Sequence, residues 1–295
     1  MVVLDDLSTG LIERIPSGVA LEQVSLTDTA KVAEVFDRHS ISGVLHLAAK
    51  KQVGESVERP DYYWEQNVGG LKNLLAAMAA HQIKRFIFSS SAAVYGQPDL
   101  SNRDLITENT PCVPMSPYGE TKLEGEKLAR AYSQENQATV IALRYFNVAG
   151  AGSPQLGDIF ELNLIPIVLS LATKGKTSEI FGDDYPTHDG TCVRDYVHVQ
   201  DVADAHVAAM DLVENSDERF EIANIGTGSG ASVKEVIAAL RTASGLEIPA
   251  QVVARRPGDP AELVASVKHA HEVLHWQSQY TLHDIADSAW RAWTK

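Results

Sequence analysis

The segment Arg85-Phe-Ile-Phe-Ser-Ser-Ser-Ala-Ala-Val-Tyr-Gly96 runs, through a loop rich in turn residues, into Ser116-Pro-Tyr-Gly-Glu-Thr-Lys122. Phe86, Ile87 and Phe88 form an apolar β-run that ends at Ser91, the pattern of a buried strand. Pro117 suits a first helical turn, and helical spacing then puts Tyr118 and Lys122 on one face, a turn apart. Of the nine tyrosines in the chain, only Tyr118 has a lysine four residues later. A free phenol ionises near pH ~10, and an ammonium within a few ångströms favours the phenolate and lowers that value. Such a pair reads as a base working near neutrality, with Ser91 as a third hydroxyl beside it. A Tyr-x3-Lys pair also occurs as a solvated helix face over a buried ring. Ser91 at a strand end, in a chain of alternating strands and helices, favours catalysis.

Outward from this segment the alternation continues. Met1-Val-Val-Leu-Asp5 is an apolar run ended by an acid, and Val19 to Val24 reads as a second strand. Thr29 to His39 carries Val32, Val35 and Phe36 at helical spacing, and Gly43-Val-Leu-His-Leu-Ala-Ala reads as the next buried strand. A helix follows that holds Asn67, Val68, Leu71, Leu74 and Leu75, and Thr139 to Phe146 is another buried strand ending at Asn147. This succession predicts an α/β fold: a Rossmann-like, doubly wound parallel sheet. Beyond Gly150 the texture changes to short elements with glycine and proline loops. The expected boundary therefore separates residues 1–150, a cofactor domain with the Ser-Tyr-Lys set, from residues 151–295, a smaller α/β substrate domain.

The Ser91, Tyr118-x3-Lys122 set resembles that of the extended short-chain dehydrogenase/reductases, most closely their UDP-glucose 4-epimerase branch, and the resemblance covers essentially the whole chain. It implies NAD as cofactor and a UDP-sugar as substrate, oxidised transiently at C4 and reduced on the opposite face, with Tyr118 as base, Lys122 beside it and Ser91 passing the proton. In that family Asp5 accepts bonds from the adenosine ribose and repels a 2′-phosphate, while Asp6, Leu7, Ser8, Thr9 and Gly10 line the ribose; an acid that merely ends a strand is the competing reading. Ser25 and Leu26 stand where the family has an acid near the adenine, and Ser25 is a departure from it. Leu47, Ala48, Ala49 and Lys51 resemble the turn along the dinucleotide, with Lys51 on the nicotinamide ribose or simply in solvent. Asn67 braces the cofactor side, Phe146 lies by the nicotinamide, and Asn147 bonds the substrate.

Farther on, Asn163 and Leu164 resemble a uridine-contacting segment, and the run from Ile180 to Val199, with Phe181, is close to the epimerase pattern throughout. Arg194, and Arg256 with Asp259 in the ARRPGD run, resemble the diphosphate site, where a planar guanidinium matches phosphate oxygens. Ion pairs of these arginines with Asp195 and Asp259 are the structural alternative. Leu263 falls where the family bounds the sugar pocket, and an aliphatic residue there leaves room for an N-acetylated sugar. Dehydratase and decarboxylase relatives carry acids after the serine, because elimination needs a further acid and base; here those positions are Ala92 and Ala93.

The family's acid normally lies roughly twenty residues after a Gly-rich turn that holds the pyrophosphate. Here it stands at position 5, so the first strand, the glycine fingerprint and the first helix are not in this sequence. The expectation drawn from this is poor NAD binding by the chain as written, with an impaired or inactive binding protein as the alternative to an enzyme. Gly226-Thr-Gly-Ser-Gly-Ala231 formally matches G-x-G-x-x-A ahead of a helical pattern, a weak signal on its own. It lies far from the Ser-Tyr-Lys stretch.

Composition narrows the remaining classes. A formal net charge of −14 argues against a nucleic-acid surface. Cys112 and Cys192 have neither metal-ligand spacing nor a disulfide framework, which fits a reducing cytoplasm and no metal. The longest apolar stretch, Leu162 to Ala172, is about half of what a membrane span needs, and no signal peptide is visible. The helix that holds Asn67 to Leu75 and the 117–136 helix have apolar faces that either pack in the core or pair with a second subunit as a homodimer.

Overall fold

The computed structural model describes residues 1–98, 105–256 and 259–295. In chain order the elements are β1 (Val2–Asp5), β2 (Ala20–Gln23), α1 (Thr29–Arg38), β3 (Val44–His46), α2 (Val53–Glu58), α3 (Pro60–Tyr63), α4 (Gly70–Ala80), β4 (Arg85–Ser91), α5 (Pro117–Asn136) and β5 (Thr139–Tyr145). They continue with β6 (Asn147–Ala149), α6 (Leu164–Thr173), β7 (Ser178–Phe181), β8 (Val193–His198), α7 (Val199–Asn215), β9 (Arg219–Ile225), β10 (Gly230–Ser232) and α8 (Val233–Ser244). The last are β11 (Ala250–Val253), β12 (Glu262–Leu263), α9 (Lys268–Leu274) and α10 (Leu282–Trp293).

The chain forms two compact units. The first comprises Met1–Gly96, Cys112–Arg144 and Ala209–Ala223; the second comprises the described part of Gln97–Pro111 with Tyr145–Ala208 and Asn224–Lys295. The polypeptide thus crosses between units more than once, where composition had suggested a single break near residue 150. The reason is β9, which joins the first unit's sheet beside β5.

In the first unit β1 pairs with β2 in parallel, Val2 opposite Ala20. A separate sheet runs in the order β3-β4-β5-β9, with β3 and β4 parallel and Val44 opposite Phe86. Its core is made by Val32, Val35 and Phe36 of α1, Leu71, Leu74 and Met78 of α4, Phe86 and Phe88 of β4, and Tyr132 of α5. Apart from Met78 and Tyr132, these are positions that the apolar patterning singled out. The α/β class and parallel pairing are as expected.

The second unit is built on β8, flanked by β10 and β12 and also paired to β6, with a second small sheet of β7 and β11. Ile165, Val168 and Leu169 of α6 pack with Val236, Ile237 and Leu240 of α8 and Ile285 of α10. Capping boxes start α8 (Ser232 with Glu235) and α10 (Thr281 with Asp284), satisfying amide donors that a helix start leaves open. Among the described residues no helix is long and apolar enough to cross a membrane, and no cluster of His, Cys, Asp or Glu is placed to hold a metal ion.

Candidate active site

The site begins where β4 ends against α5. Ser116 caps the helix, its Oγ accepting from Gly119 N at 3.2 Å, and Pro117 fills the first turn. Two glycines let helix and strand close up: a Cβ at Gly125 would sit 2.4 Å from the Phe88 ring, and one at Gly119 would sit 2.7 Å from the Ala93 carbonyl oxygen. With that approach allowed, the Tyr118 phenol comes close enough to the Ser91 hydroxyl for that hydroxyl to favour the phenolate, and Lys122 Nζ donates to the Ser89 carbonyl at 2.8 Å. The three residues named from the sequence are therefore brought together.

Their charges do not behave as the sequence suggested. Tyr118 is half-buried, and burial raises the pKa of its phenol; the nearby Ser91 hydroxyl pulls the other way without cancelling it. The ammonium of Lys122 lies 6.0 Å from the Tyr118 ring centre and is committed to Ser89, so it does not lower the phenol as expected. Lys122 itself is 5 % exposed. Burial lowers its pKa to about 8, with Glu126 one turn on pulling it upward. Behind it His46 is stacked against Phe86 and Phe88, and burial together with the Lys122 charge lowers its pKa to about 3, so it stays neutral.

A cavity of about 240 Å³ opens at the carboxyl ends of β1, β2 and β3. Asp5, Asp6, Ser8, Thr9, Gly10, Ser25, Leu26, Leu47, Ala48, Ala49 and Asn67 line it, all of them singled out from the sequence. Leu7 does not; it takes a left-handed turn, φ 55°, and gives its N–H to Asp5 Oδ1 at 2.7 Å. Asn67 sits in a π-helical turn, Trp64–Gly69, a distortion frequent at functional sites. Its amide accepts from Lys50 N at 2.8 Å and donates to the Lys50 carbonyl at 2.9 Å and to Thr121 Oγ1 at 3.1 Å, tying the end of β3 to α5. Lys51 is exposed and lies off the cavity lining. Its neighbour Lys50 lines the cavity and donates to Ser8 Oγ at 2.5 Å.

The second unit gathers the other predicted residues. Arg194 donates to Asp259 and to the Val193 carbonyl, and Leu263 is its partner across β12 and β8. Arg256 lies 3.8 Å over the Phe181 ring, and its carbonyl accepts from Asp259 N at 3.3 Å. Pro257 and Gly258 of the same run lie outside the described residues. Arg255, not singled out from the sequence, stacks on Tyr185 at 4.0 Å. Asn163 is exposed at the start of α6, bonded to Asp158, and Leu164 is half-buried beside it. Asn147 is exposed at the start of β6, whereas Phe146 is buried, its N–H on the Ile225 carbonyl.

The G-x-G-x-x-A match resolves differently. Asp195, fully buried, accepts from Thr227 N, Thr227 Oγ1, Gly228 N and Ala265 N. A Cβ at Gly226 would sit 2.6 Å from the same carboxylate. The amides that would cradle a phosphate hold the protein's own acid.

Residues 1–226 match the NAD dependent epimerase/dehydratase family. The chain belongs to that family. A UDP-glucose 4-epimerase of Corynebacterium glutamicum is 42% identical over 293 residues, which cover 98% of this chain and 87% of the relative. That of Halalkalibacterium halodurans is 41% identical, over 100% of this chain and 88% of its own. A crystal structure of a UDP-glucose 4-epimerase superposes with TM-score 0.94 at 42% identity, over 99% and 89% of the two chains. Another, from Stenotrophomonas maltophila with bound NAD and formylated UDP-arabinopyranose, gives TM-score 0.93 at 36% identity, over 99% and 89%.

For this family member the cavity offers a direct test of the cofactor. Asp5 ends a parallel strand with its carboxylate on the cavity wall, and a Cβ at Gly10 would press to 2.7 Å from Asp5 Oδ1. Glycine there keeps the carboxylate open to a ligand. An acid so placed accepts ribose hydroxyls and repels a 2′-phosphate, so the residues fit NAD, the family's cofactor. Sequence reading missed Lys50 and Gln66 on this wall. The two lysines are adjacent in sequence and alike in chemistry, so the sequence alone does not say which of them lines the wall.

Proposed function

We propose that this protein interconverts UDP-glucose and UDP-galactose, a reaction of galactose metabolism, by transient oxidation of the sugar at C4. The observation that carries the reading is the Ser91 hydroxyl beside the Tyr118 phenol, favouring the phenolate, with the buried Lys122 one helical turn away. The Tyr118 phenolate takes the proton of the sugar 4-hydroxyl, and Ser91 passes it between sugar oxygen and phenol. NAD, when bound, supplies reversible hydride exchange at C4 and a positive ring that offsets the burial opposing the phenolate. Lys122 holds a second positive charge near the phenol and meets the nicotinamide ribose, while Asp5 to Gly10 and Asn67 hold the rest of the dinucleotide.

In the second unit Arg194 and Arg256 take the diphosphate, Phe181, Asn163 and Leu164 the uridine, and Asn147 and Leu263 the sugar. Anchoring at the diphosphate leaves the hexosyl group free to present either face, as inversion requires. Ala92 and Ala93 after Ser91 supply no acid for elimination, which favours epimerisation over dehydration. Relatives named UDP-glucose 4-epimerase at about this identity favour the enzyme over an impaired binding protein. The protein is further read as a cytoplasmic homodimer. Val53, Val57 and Trp64, exposed on α2 and the π-helical turn, support a subunit contact there.

Purified protein supplied with NAD is expected to convert UDP-galactose to UDP-glucose, read by sugar-nucleotide chromatography. A preparation that binds NAD and UDP yet converts neither sugar overturns the reading.

A further inference from the structure

Three consecutive residues of β4 meet three successive turns of α5. Ser91 lies beside Tyr118 and favours its phenolate, the Ser89 carbonyl accepts from Lys122 at 2.8 Å, and Ser90 Oγ donates to Glu126 Oε1 at 2.5 Å. The first two contacts are the reacting end of the site; the third has no part in the chemistry so far described. Glu126 is gripped by Arg144 of β5, whose Nε donates to Oε1 at 2.8 Å and Nη2 to Oε2 at 2.6 Å. Arg144 Nη1 in turn donates to Tyr95 OH at 2.8 Å. Ser90, Tyr95, Glu126 and Arg144 are all at most 4 % exposed.

An ion pair buried this deeply is not explained by stability. Desolvating two charges offsets most of their attraction, and well-packed apolar residues of the same volume commonly do as well or better. The pair does have a location that stability alone does not ask for. Glu126 stands at helical spacing from Lys122, which stands at the same spacing from Tyr118, so the carboxylate faces the ammonium along one side of α5.

We propose that Glu126, held in place by Arg144 and Ser90, is a positioning residue for the Tyr118–Lys122 pair, locking the serine-bearing end of β4 in register with α5 and supplying the counter-charge to the buried ammonium. Burial lowers Lys122 to about 8 while Glu126 opposes that shift, which is the sense the role requires. The groups facing Lys122 are Tyr118 and Glu126 from its own helix, the Ser89 carbonyl and Phe88 ring from β4, and neutral His46 from β3. Those facing Glu126 are Ser90, Arg144 with Tyr95, and Cys112, whose thiol also meets Arg144. None of the others carries a negative charge at neutral pH, because burial raises the Cys112 thiol and the Tyr118 phenol. Glu126 is the carboxylate in the set.

The inference rests on Tyr118 being the base, so Tyr118→Phe is assayed alongside: activity retained there would refute that reading and this one with it, whereas a lost Tyr118→Phe activity beside unaffected Glu126 variants would refute this one alone. Glu126→Gln keeps the shape and removes the charge. Its kcat is expected to fall roughly 10- to 100-fold, the scale of a small misplacement at a reacting centre. KM should hold, and the alkaline limb of the kcat profile, which reports the loaded enzyme, should move to lower pH. Because Glu126→Gln leaves Arg144 uncompensated, the double variant Glu126→Gln/Arg144→Met is made as well. It is expected to melt close to the parent while keeping the lowered kcat and the displaced limb. A double variant with the parent's kcat and pH profile overturns the proposal, as does one that does not fold, since the pair would then serve stability alone.

Discussion

Two stretches of this chain carry a motif that can be read as text, and the structure treats them in opposite ways. At Tyr118-x3-Lys122 each polar group meets β4 once, Lys122 at the Ser89 carbonyl and the phenol beside the hydroxyl with which it would share a proton. At Gly226 to Ala231 the glycine turn and the helix start are equally well formed. Its amides, however, converge on Asp195, a carboxylate from β8 that fills the place of a phosphate. A spacing motif therefore specifies a local shape. Whether that shape is a site depends on whether the rest of the fold has already satisfied its donors and acceptors.

The contrast can be broken first at Lys122. Lys122→Met removes the ammonium and is expected to lower kcat by roughly 10²-fold or more, within the range for a group assisting proton transfer. The parent profile supplies the sign: the ammonium is charged below its pKa of about 8 and lost above it. Parent activity should accordingly decline as pH rises through that value, and the methionine variant should lose that limb. A variant with an unchanged profile would place the alkaline limb elsewhere.

At the other motif Asp195→Asn should act on stability. The carboxylate accepts four hydrogen bonds while fully buried, and bonds to a charged group contribute about 1.5–3 kcal/mol each when broken singly. Partial replacement by the amide leaves an expected loss of about 2–4 kcal/mol, seen in denaturant melts, with NAD affinity unaltered. A selective loss of NAD affinity without destabilisation would make the glycine turn a cofactor site after all.

The smallest expected effect sharpens the strand–helix contact. Gly125→Ala adds a methyl group against the Phe88 ring and is expected to cost about 1–3 kcal/mol through overpacking, partly offset by alanine's better helix propensity of about 1 kcal/mol. Unchanged stability by thermal melting would mean that α5 and β4 have slack and are not held in register by this contact.

Much of the fold was legible because its signals are local. The apolar runs at Val2 to Asp5 and Thr139 to Tyr145 became strands, and the Ser116-Pro117 start fixed the helix that carries Tyr118. The cavity wall at Asp5, Asp6, Ser8, Thr9 and Gly10 and from Leu47 to Ala49 was named through the resemblance to the family rather than through local periodicity. What was not legible depends on distant partners. The Glu126–Arg144 pair joins residues 18 apart in sequence, and no composition signal announces that a charge will be buried. The filling of the glycine turn by Asp195 and the return of β9 to the first sheet are tertiary facts of the same kind. The raised phenol pKa was missed because spacing places an ammonium near Tyr118 but does not reveal that its hydrogen bond goes to Ser89.

The most direct measurement is the turnover of Tyr118→Phe, which deletes one oxygen and leaves the ring, the helix and Lys122 in place. The account predicts that kcat for UDP-galactose falls by about 10²- to 10⁴-fold while UDP and NAD bind as they do to the parent. Turnover at the parent's rate with the phenol oxygen gone would contradict it.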